Sequence, residues 1–269
     1  MTEQAKNDRA LRFYTEVLGL RHLHYGLWEE DEELSLTNLR KAQQRYEDLV
    51  VDAIPEGVHS ILDVGCGNGM LSRRLKSLGY DVEGLSPDVN QRQSYPQNSD
   101  GCVFHFSRFE HFSPERQYDC IIMSESGQYI PLERLFRVAA ACLSPGGYLI
   151  NIDYFVLPAA RGVLAKSGHP LDAYRQQAVD NGFDETRNLD ISKQIAKTLD
   201  LARLLVERGL LALDIATEKF RRKHPLVTRL TGWLLKKKKR SLDEQLQLLD
   251  TEKFLAAKQY RLFVFRKKD

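Results

Sequence analysis

The stretch ILDVGCGNGMLSRRL at 61–75 holds the spacing with the clearest chemical content. An apolar run leads directly into Gly65, Gly67 and Gly69, and a helical pattern opens at Leu71. Glycine lets a turn take positive φ and lets a ligand approach with no Cβ in the way, and Cys66, between the first two glycines, is a binding candidate with them. Asp63, two positions before the first glycine, sits badly with a pyrophosphate but suits a cationic ligand. A turn-capping Asp is the bland alternative. A nicotinamide dehydrogenase would need G-x-G-x-x-G and an acidic end to the second strand. Here the third glycine is misplaced and the strand ends at Ser86.

The rest of the chain supplies elements to position such a turn. Short Val-, Ile- and Phe-rich runs at 60–64, 81–86, 102–106, 118–124, 148–153, 183–190 and 259–266 alternate with segments of helical period. This pattern predicts an α/β fold, Rossmann-like, with seven strands in a mostly parallel sheet. An amphipathic helix at 39–54 precedes the first strand, with Leu39, Ala42, Tyr46, Leu49 and Ala53 on one face. Between the last two strands, 192–249 is helical in pattern and too long for a hairpin connection, which reads as an inserted cap. The expected organisation is an N-terminal lid segment at 1–38, a core at 39–191 and 251–269, and a helical cap at 192–250.

Composition narrows the class. The chain has 269 residues, 42% hydrophobic and 28% charged, with a net charge of +2. Disordered and collagen-like classes fit poorly, and the small net charge argues against nucleic acid as partner. With no long apolar run and a polar amino terminus, a cytoplasmic protein is expected. Cys66, Cys102, Cys120 and Cys142 lack C-x-x-C or histidine spacing, so core thiols are expected and no metal site.

The 61–75 segment resembles motif I of the class I S-adenosylmethionine-dependent methyltransferases, whose seven-stranded sheet ends in an antiparallel strand. The resemblance covers about 39–152 and implies S-adenosyl-L-methionine as cofactor, with the Asp63 position helping to hold its methionyl part. GLSPDVNQ at 84–91 departs from the usual acidic strand end. It is similar to the form found in cyclopropane fatty-acid synthases and tocopherol or sterol methyltransferases, with Ser86, Pro87 and Gln91 near the ribose. A strand-ending turn is the plain alternative for Ser86-Pro87, and Asp88 is a candidate for the missing charge. RFEHF at 108–112 resembles that subgroup's G-W-E-x-F, which implies Phe109 near the adenine and Glu110 at its amino edge. Ser124 and Glu125, at the end of the fourth strand, fall where the family lines its cleft. HYGLW at 24–28 resembles the segment that closes over the cofactor, making Tyr25 a contact. Gln128 stands where cyclopropane synthases have a glutamate, which argues against cyclopropanation.

Methyl transfer from a sulfonium is an in-line displacement with a good leaving group, so proximity, orientation and a dry cleft supply much of the acceleration. A base is needed only if the acceptor carries a proton to lose. Tyr129 and His24 are the catalytic candidates, with Tyr25 and His169 near them. The 192–249 insert should select the substrate, and its Leu- and Ala-rich 199–216 stretch points to a small apolar or lipid-like acceptor. Basic residues with Trp233 and leucines at 219–240 suit a peripheral contact with an anionic membrane, each Lys or Arg contributing about 1 kcal/mol. A solvated face explains them equally well. A non-catalytic binding subunit and a macromolecular acceptor stay open as alternatives.

Overall fold

The computed structural model describes residues 19, 22, 24–223 and 249–269. Of the basic segment at 219–240 the backbone is described only to 223, so the expected membrane contact lies outside the described residues. Among the described residues no helix is long and apolar enough to cross a membrane.

In chain order the elements are α1 (Leu36–Asp52), β1 (Ser60–Val64), α2 (Met70–Ser77), β2 (Asp81–Leu85), α3 (Val89–Asn98), β3 (Val103–His105), β4 (Tyr118–Ser124) and α4 (Leu132–Cys142). There follow β5 (Leu143–Val156), β6 (His169–Pro170), α5 (Leu171–Asp180), β7 (Phe183–Asp190), α6 (Ser192–Lys223), α7 (Thr251–Ala257) and β8 (Lys258–Lys267). The strands order as β3-β2-β1-β4-β5-β8-β7, with β8 antiparallel to both neighbours and the two-residue β6 beside β5. The α/β fold with its antiparallel C-terminal strand is as expected. The extra strand β6 is a two-residue pairing, too short to leave a periodic signal.

Alternation along the strands feeds two cores, because successive side chains point to opposite faces and this sheet is covered on both. Leu62, Val64, Ile121 and Met123 pack on one side with Phe136 and Tyr174 of α4 and α5. Ile61, Cys120, Ile122 and Ile150 pack on the other with Tyr46 and Val50 of α1 and Leu75 of α2. All four cysteines are buried and free. Asp119 is structural: its Oδ2 accepts from the backbone N–H groups of His59 and Ser60 and from Ser60 Oγ, tying the start of β1 to β4.

Helix α1 starts at Ser35, whose side chain accepts from Asn38 N. Its buried face carries Gln43 and Glu47 as well as Leu39, Ala42, Tyr46 and Val50, so it is more polar than the apolar stripe predicts. The segment at 24–34 is strapped between α1 and α6. Leu27 N donates to Ala42 O, Gly26 N and Trp28 Nε1 donate to Thr198 Oγ1, and Lys197 Nζ donates to the carbonyls of Glu29, Glu30 and Glu32.

Candidate functional site

From β1 the chain steps through β2 to β3 on one side of the sheet, while β4 and β5 lie on the other. At such a switch point the loops leaving adjacent strands diverge, and a crevice opens at the carboxyl edge. A cleft of about 880 Å³ occupies this place, near the top of the roughly 300–1,000 Å³ range of ligand pockets.

Its floor is the glycine loop. Gly65 has φ +74, and a Cβ there would fall 2.3 Å from Ser126 Cβ, so only glycine lets the β1 and β4 loops approach this closely. Ser126 Oγ in turn donates to Val64 O. Asp63 lines the cleft yet is 2% exposed, and it accepts a 2.5 Å hydrogen bond from Ser72 Oγ on α2. Burial pushes its carboxyl up to about 6; the Ser72 bond opposes this and the nearby Glu47 charge adds to it.

On the β2 side the cleft is lined by Ser86, Pro87, Asp88, Gln91, Phe109 and Glu110. Asp88 caps α3, its Oδ1 accepting from Asn90 N and Gln91 N, and Ser86 Oγ accepts from Asp88 N. One carboxylate oxygen of Asp88 is thereby engaged at the helix start, while the residue still lines the cleft. The Gln91 Oε1 is buried in the cleft wall with no hydrogen-bond partner. Such an acceptor is costly unless a ligand satisfies it, and a ribose hydroxyl is a suitable donor.

On the β4 side stand Ser124, Glu125, Ser126, Gln128, Tyr129 and Ile130, together with Tyr25 and Tyr154. Glu125 has φ +55. For a residue with a Cβ this conformation costs about 1–2 kcal/mol, a cost that recurs at functional sites. Two donors converge on its Oε1: Tyr25 N at 2.9 Å and Tyr260 Oη at 2.5 Å. Burial raises the Glu125 pKa, against the lowering effects of the His24 charge and these two bonds. The Tyr46 hydroxyl lies 3.1 Å from both Ser124 Oγ and Tyr260 Oη, completing a chain of hydroxyls behind the cleft. Asp153, 1% exposed, accepts from Gln128 N and so holds the 127–129 turn in place. Burial pushes its carboxyl up to about 8.

The structure therefore brings Tyr25, Asp63, Gly65, Cys66, Gly67, Ser86, Pro87, Gln91, Phe109, Glu110 and Ser124 around one cavity, together with the catalytic candidates His24 and Tyr129. Gly69, expected at the ligand, is outside the lining. It caps α2 with φ +89 and packs against Tyr95 and Ser99, so its conformation serves the helix start. His24 hydrogen-bonds the Tyr25 carbonyl through Nδ1 and turns Nε2 toward Glu47, a poor orientation for a base acting across the cleft. Tyr129 is 76% exposed at the rim. His169 is outside the lining, its Nε2 3.0 Å from Gly127 O and its ring stacked on Tyr174.

Sequence reasoning missed His22, Glu47, Asp153, Tyr154 and Tyr260 at or behind the cleft, and it read Tyr46 as packing alone. A carboxylate at a position of α1 one turn beyond Gln43 was the one available signal. Glu47 lies in the cleft wall with His22 Nδ1 2.8 Å and His24 Nε2 3.7 Å from its Oε1, and Arg74 Nη1 3.5 Å from its Oε2. Burial pushes its carboxyl up, but the two histidines outweigh that and hold it at about 2.

A family model described as a methyltransferase domain matches residues 38–212. No curated protein sequence matches the chain. Among solved structures, a protein described as a sarcosine dimethylglycine methyltransferase from Galdieria sulphuraria superposes with a TM-score of 0.72 at 18% identity, over 97% of this chain and 99% of that one. The [4+2]-cyclase SpnF gives 0.71 at 19% identity, over 100% and 97%. The geranyl diphosphate C-methyltransferase of Streptomyces coelicolor A3(2), in complex with Mg2+, geranyl diphosphate and S-adenosyl-L-homocysteine, gives 0.68 at 16%, over 99% and 98%.

Proposed function

The chain belongs to the family of methyltransferase domains, and from that premise we propose that it transfers a methyl group from S-adenosylmethionine to a small, largely apolar acceptor. What carries the reading is the convergence on one switch-point cavity of Asp63 beneath a glycine turn, an unpartnered Gln91 amide oxygen, and Phe109 with Glu110. Asp63 supplies negative charge for the cationic end of the cofactor, Gln91 Oε1 accepts from the ribose, and Phe109 offers an apolar face to the base. The bound cofactor supplies an electrophilic methyl on a sulfonium with a neutral thioether as leaving group.

The remaining volume, on the β4 side, is walled by Tyr25, Tyr129, Ile130 and Tyr154. Aromatic faces there favour a flat or isoprenoid-like acceptor over a charged one. Gln128, whose Oε1 is also buried and unpartnered, is placed to accept one hydrogen bond from it. The chain's own residues contribute orientation and exclusion of water, with the strapped 24–34 segment closing one wall. The subgroup that includes tocopherol and sterol methyltransferases remains part of this proposal, supported by the 24–28 and 84–91 segments.

Calorimetric titration with S-adenosyl-L-homocysteine, followed by transfer of labelled methyl across a panel of isoprenoid, phenolic and lipid acceptors, tests the reading. Binding in the micromolar range and label in an apolar acceptor are expected. No heat at millimolar ligand overturns the cofactor assignment. Because a similar fold serves a [4+2]-cyclase, binding without label transfer would move this chain away from methyl transfer.

A further inference from the structure

We propose that His22, His24 and Glu47 form a site for a divalent transition-metal ion in the wall of the cleft. One ligand atom from each lies within 4.8 Å of the other two. Adjacent ligands around a tetrahedral ion with bonds of about 2.0–2.1 Å are about 3.3 Å apart. The 2.8 Å and 3.7 Å separations from Glu47 Oε1 bracket that value, and with all three ligand atoms within 4.8 Å of one another the two rings have up to about 1.5 Å to close on an ion.

The tautomer of His24 is the second observation. Its Nδ1 lies 2.7 Å from Tyr25 O, and a carbonyl only accepts, so Nδ1 carries a proton. Nε2 is then the nitrogen turned toward the carboxylate, and that contact is satisfied only by a cation between the two atoms, a proton or a metal ion. A backbone carbonyl on the far nitrogen is also the arrangement that orients metal-bound imidazoles. His24 Nε2 and His22 Nδ1 are both buried, and each approaches Glu47 Oε1 without reaching hydrogen-bond geometry.

The backbone is built to hold this geometry. Gln43, 1% exposed and one helical turn before Glu47 on α1, donates from Nε2 to His22 O at 3.2 Å and His24 O at 2.7 Å. One buried amide thus locks both histidines opposite the carboxylate. Arg74 engages the other carboxylate oxygen, which leaves Oε1 as a single-atom ligand.

Two imidazoles and one carboxylate suit Zn2+, Co2+, Mn2+ or Fe2+; Mg2+ and Ca2+ prefer all-oxygen sets. Three protein ligands leave at least one coordination position, and all three residues line the cavity. An oxygen-bearing group of the acceptor or of the cofactor's methionyl end would take that position, a role that rests on the methyltransferase reading, whereas the site itself does not.

Full-length protein stripped with chelator and dialysed is titrated with Co2+ by visible absorption and with Zn2+ by calorimetry, beside His24→Gln and Glu47→Gln. Expected are one saturable site in the wild type, displacement of Co2+ by Zn2+, and affinity at least about tenfold weaker in each variant. Zn2+ should also raise the melting temperature of the wild type, a readout that stands if a variant fails to fold. Absence of saturable binding to the wild type, or equal binding by folded variants, overturns the site in favour of plain ion pairing of protonated histidines. S-adenosyl-L-homocysteine titrated into the same metal-free samples separates the two proposals: its binding without metal binding sinks only the metal site.

Discussion

Replacing Asp63 by Asn should make the ligand-free protein more stable above pH 6 while weakening its hold on the cofactor. Asp63 is 2% exposed, and burial lifts its carboxyl from an ordinary value of 3.8 to about 6. Below pH 3.8 the group is protonated folded or unfolded and costs nothing. As pH rises, the unfolded chain releases the proton first while the folded chain keeps it to about 6, so stability falls through this window. A gap of about two pH units at about 1.4 kcal/mol each amounts to about 3 kcal/mol, fully exacted above pH 6. Asn keeps an acceptor for Ser72 Oγ, whose favouring of the carboxylate is already contained in that figure. The net expectation is a gain of about 3 kcal/mol at pH 8, or about 6–12 °C in melting temperature at about 2–4 °C per kcal/mol. Urea unfolding of both proteins at pH 4, 6 and 8 measures it, and the difference should shrink toward pH 4. In parallel, S-adenosyl-L-homocysteine should bind at least about tenfold more weakly, the loss of one charged contact. A variant that is less stable at pH 8, or a stability difference that is flat with pH, would refute the burial argument; unchanged affinity would refute the role given to Asp63.

Gly65→Ala should lose cofactor binding and at least about 2 kcal/mol of stability, because a Cβ meets Ser126 at 2.3 Å and φ is +74; thermal melts and calorimetry report both. Tyr260→Phe removes the donor to Glu125 and the hydroxyl beside Tyr46, at a cost of about 1–3 kcal/mol, read as a lower urea midpoint at constant slope. Phe109→Ala should cost about 3–5 kcal/mol as a core truncation and weaken binding of adenosine itself, which a competition titration detects. Tyr129→Phe, at an exposed rim position, should leave S-adenosyl-L-homocysteine affinity unchanged; a large loss would show that the rim closes on the cofactor.

Local pattern decided a good part of this molecule. The strands at 60–64 and 118–124 have the boundaries expected from residue type alone, because a strand buried on both faces needs a largely apolar run with turn residues at its ends; the boundaries at 183–190 also match, although that strand is exposed beyond Phe183. The glycine turn was legible for the same reason: a backbone that must take positive φ beside a strand end admits almost one residue type. At Gly69, which lies outside the cavity lining beside Tyr95 and Ser99, sequence shows that a glycine is needed and not which neighbour demands it.

What only the tertiary structure decided are the groups joined across the chain. Tyr46, Glu125 and Tyr260 form one hydroxyl–carboxylate wall although 214 positions separate the outer two. That meeting depends on β8 threading antiparallel between β5 and β7, a register no local period encodes. Likewise the periodicity of α1 identifies its inward face but not that Gln43 and Glu47 belong to it, because a polar side chain is buried only when its partners arrive from elsewhere. His22, His24 and the buried carboxylate are brought together by folding the amino-terminal segment back over that helix, and this juxtaposition is a property of packing in three dimensions.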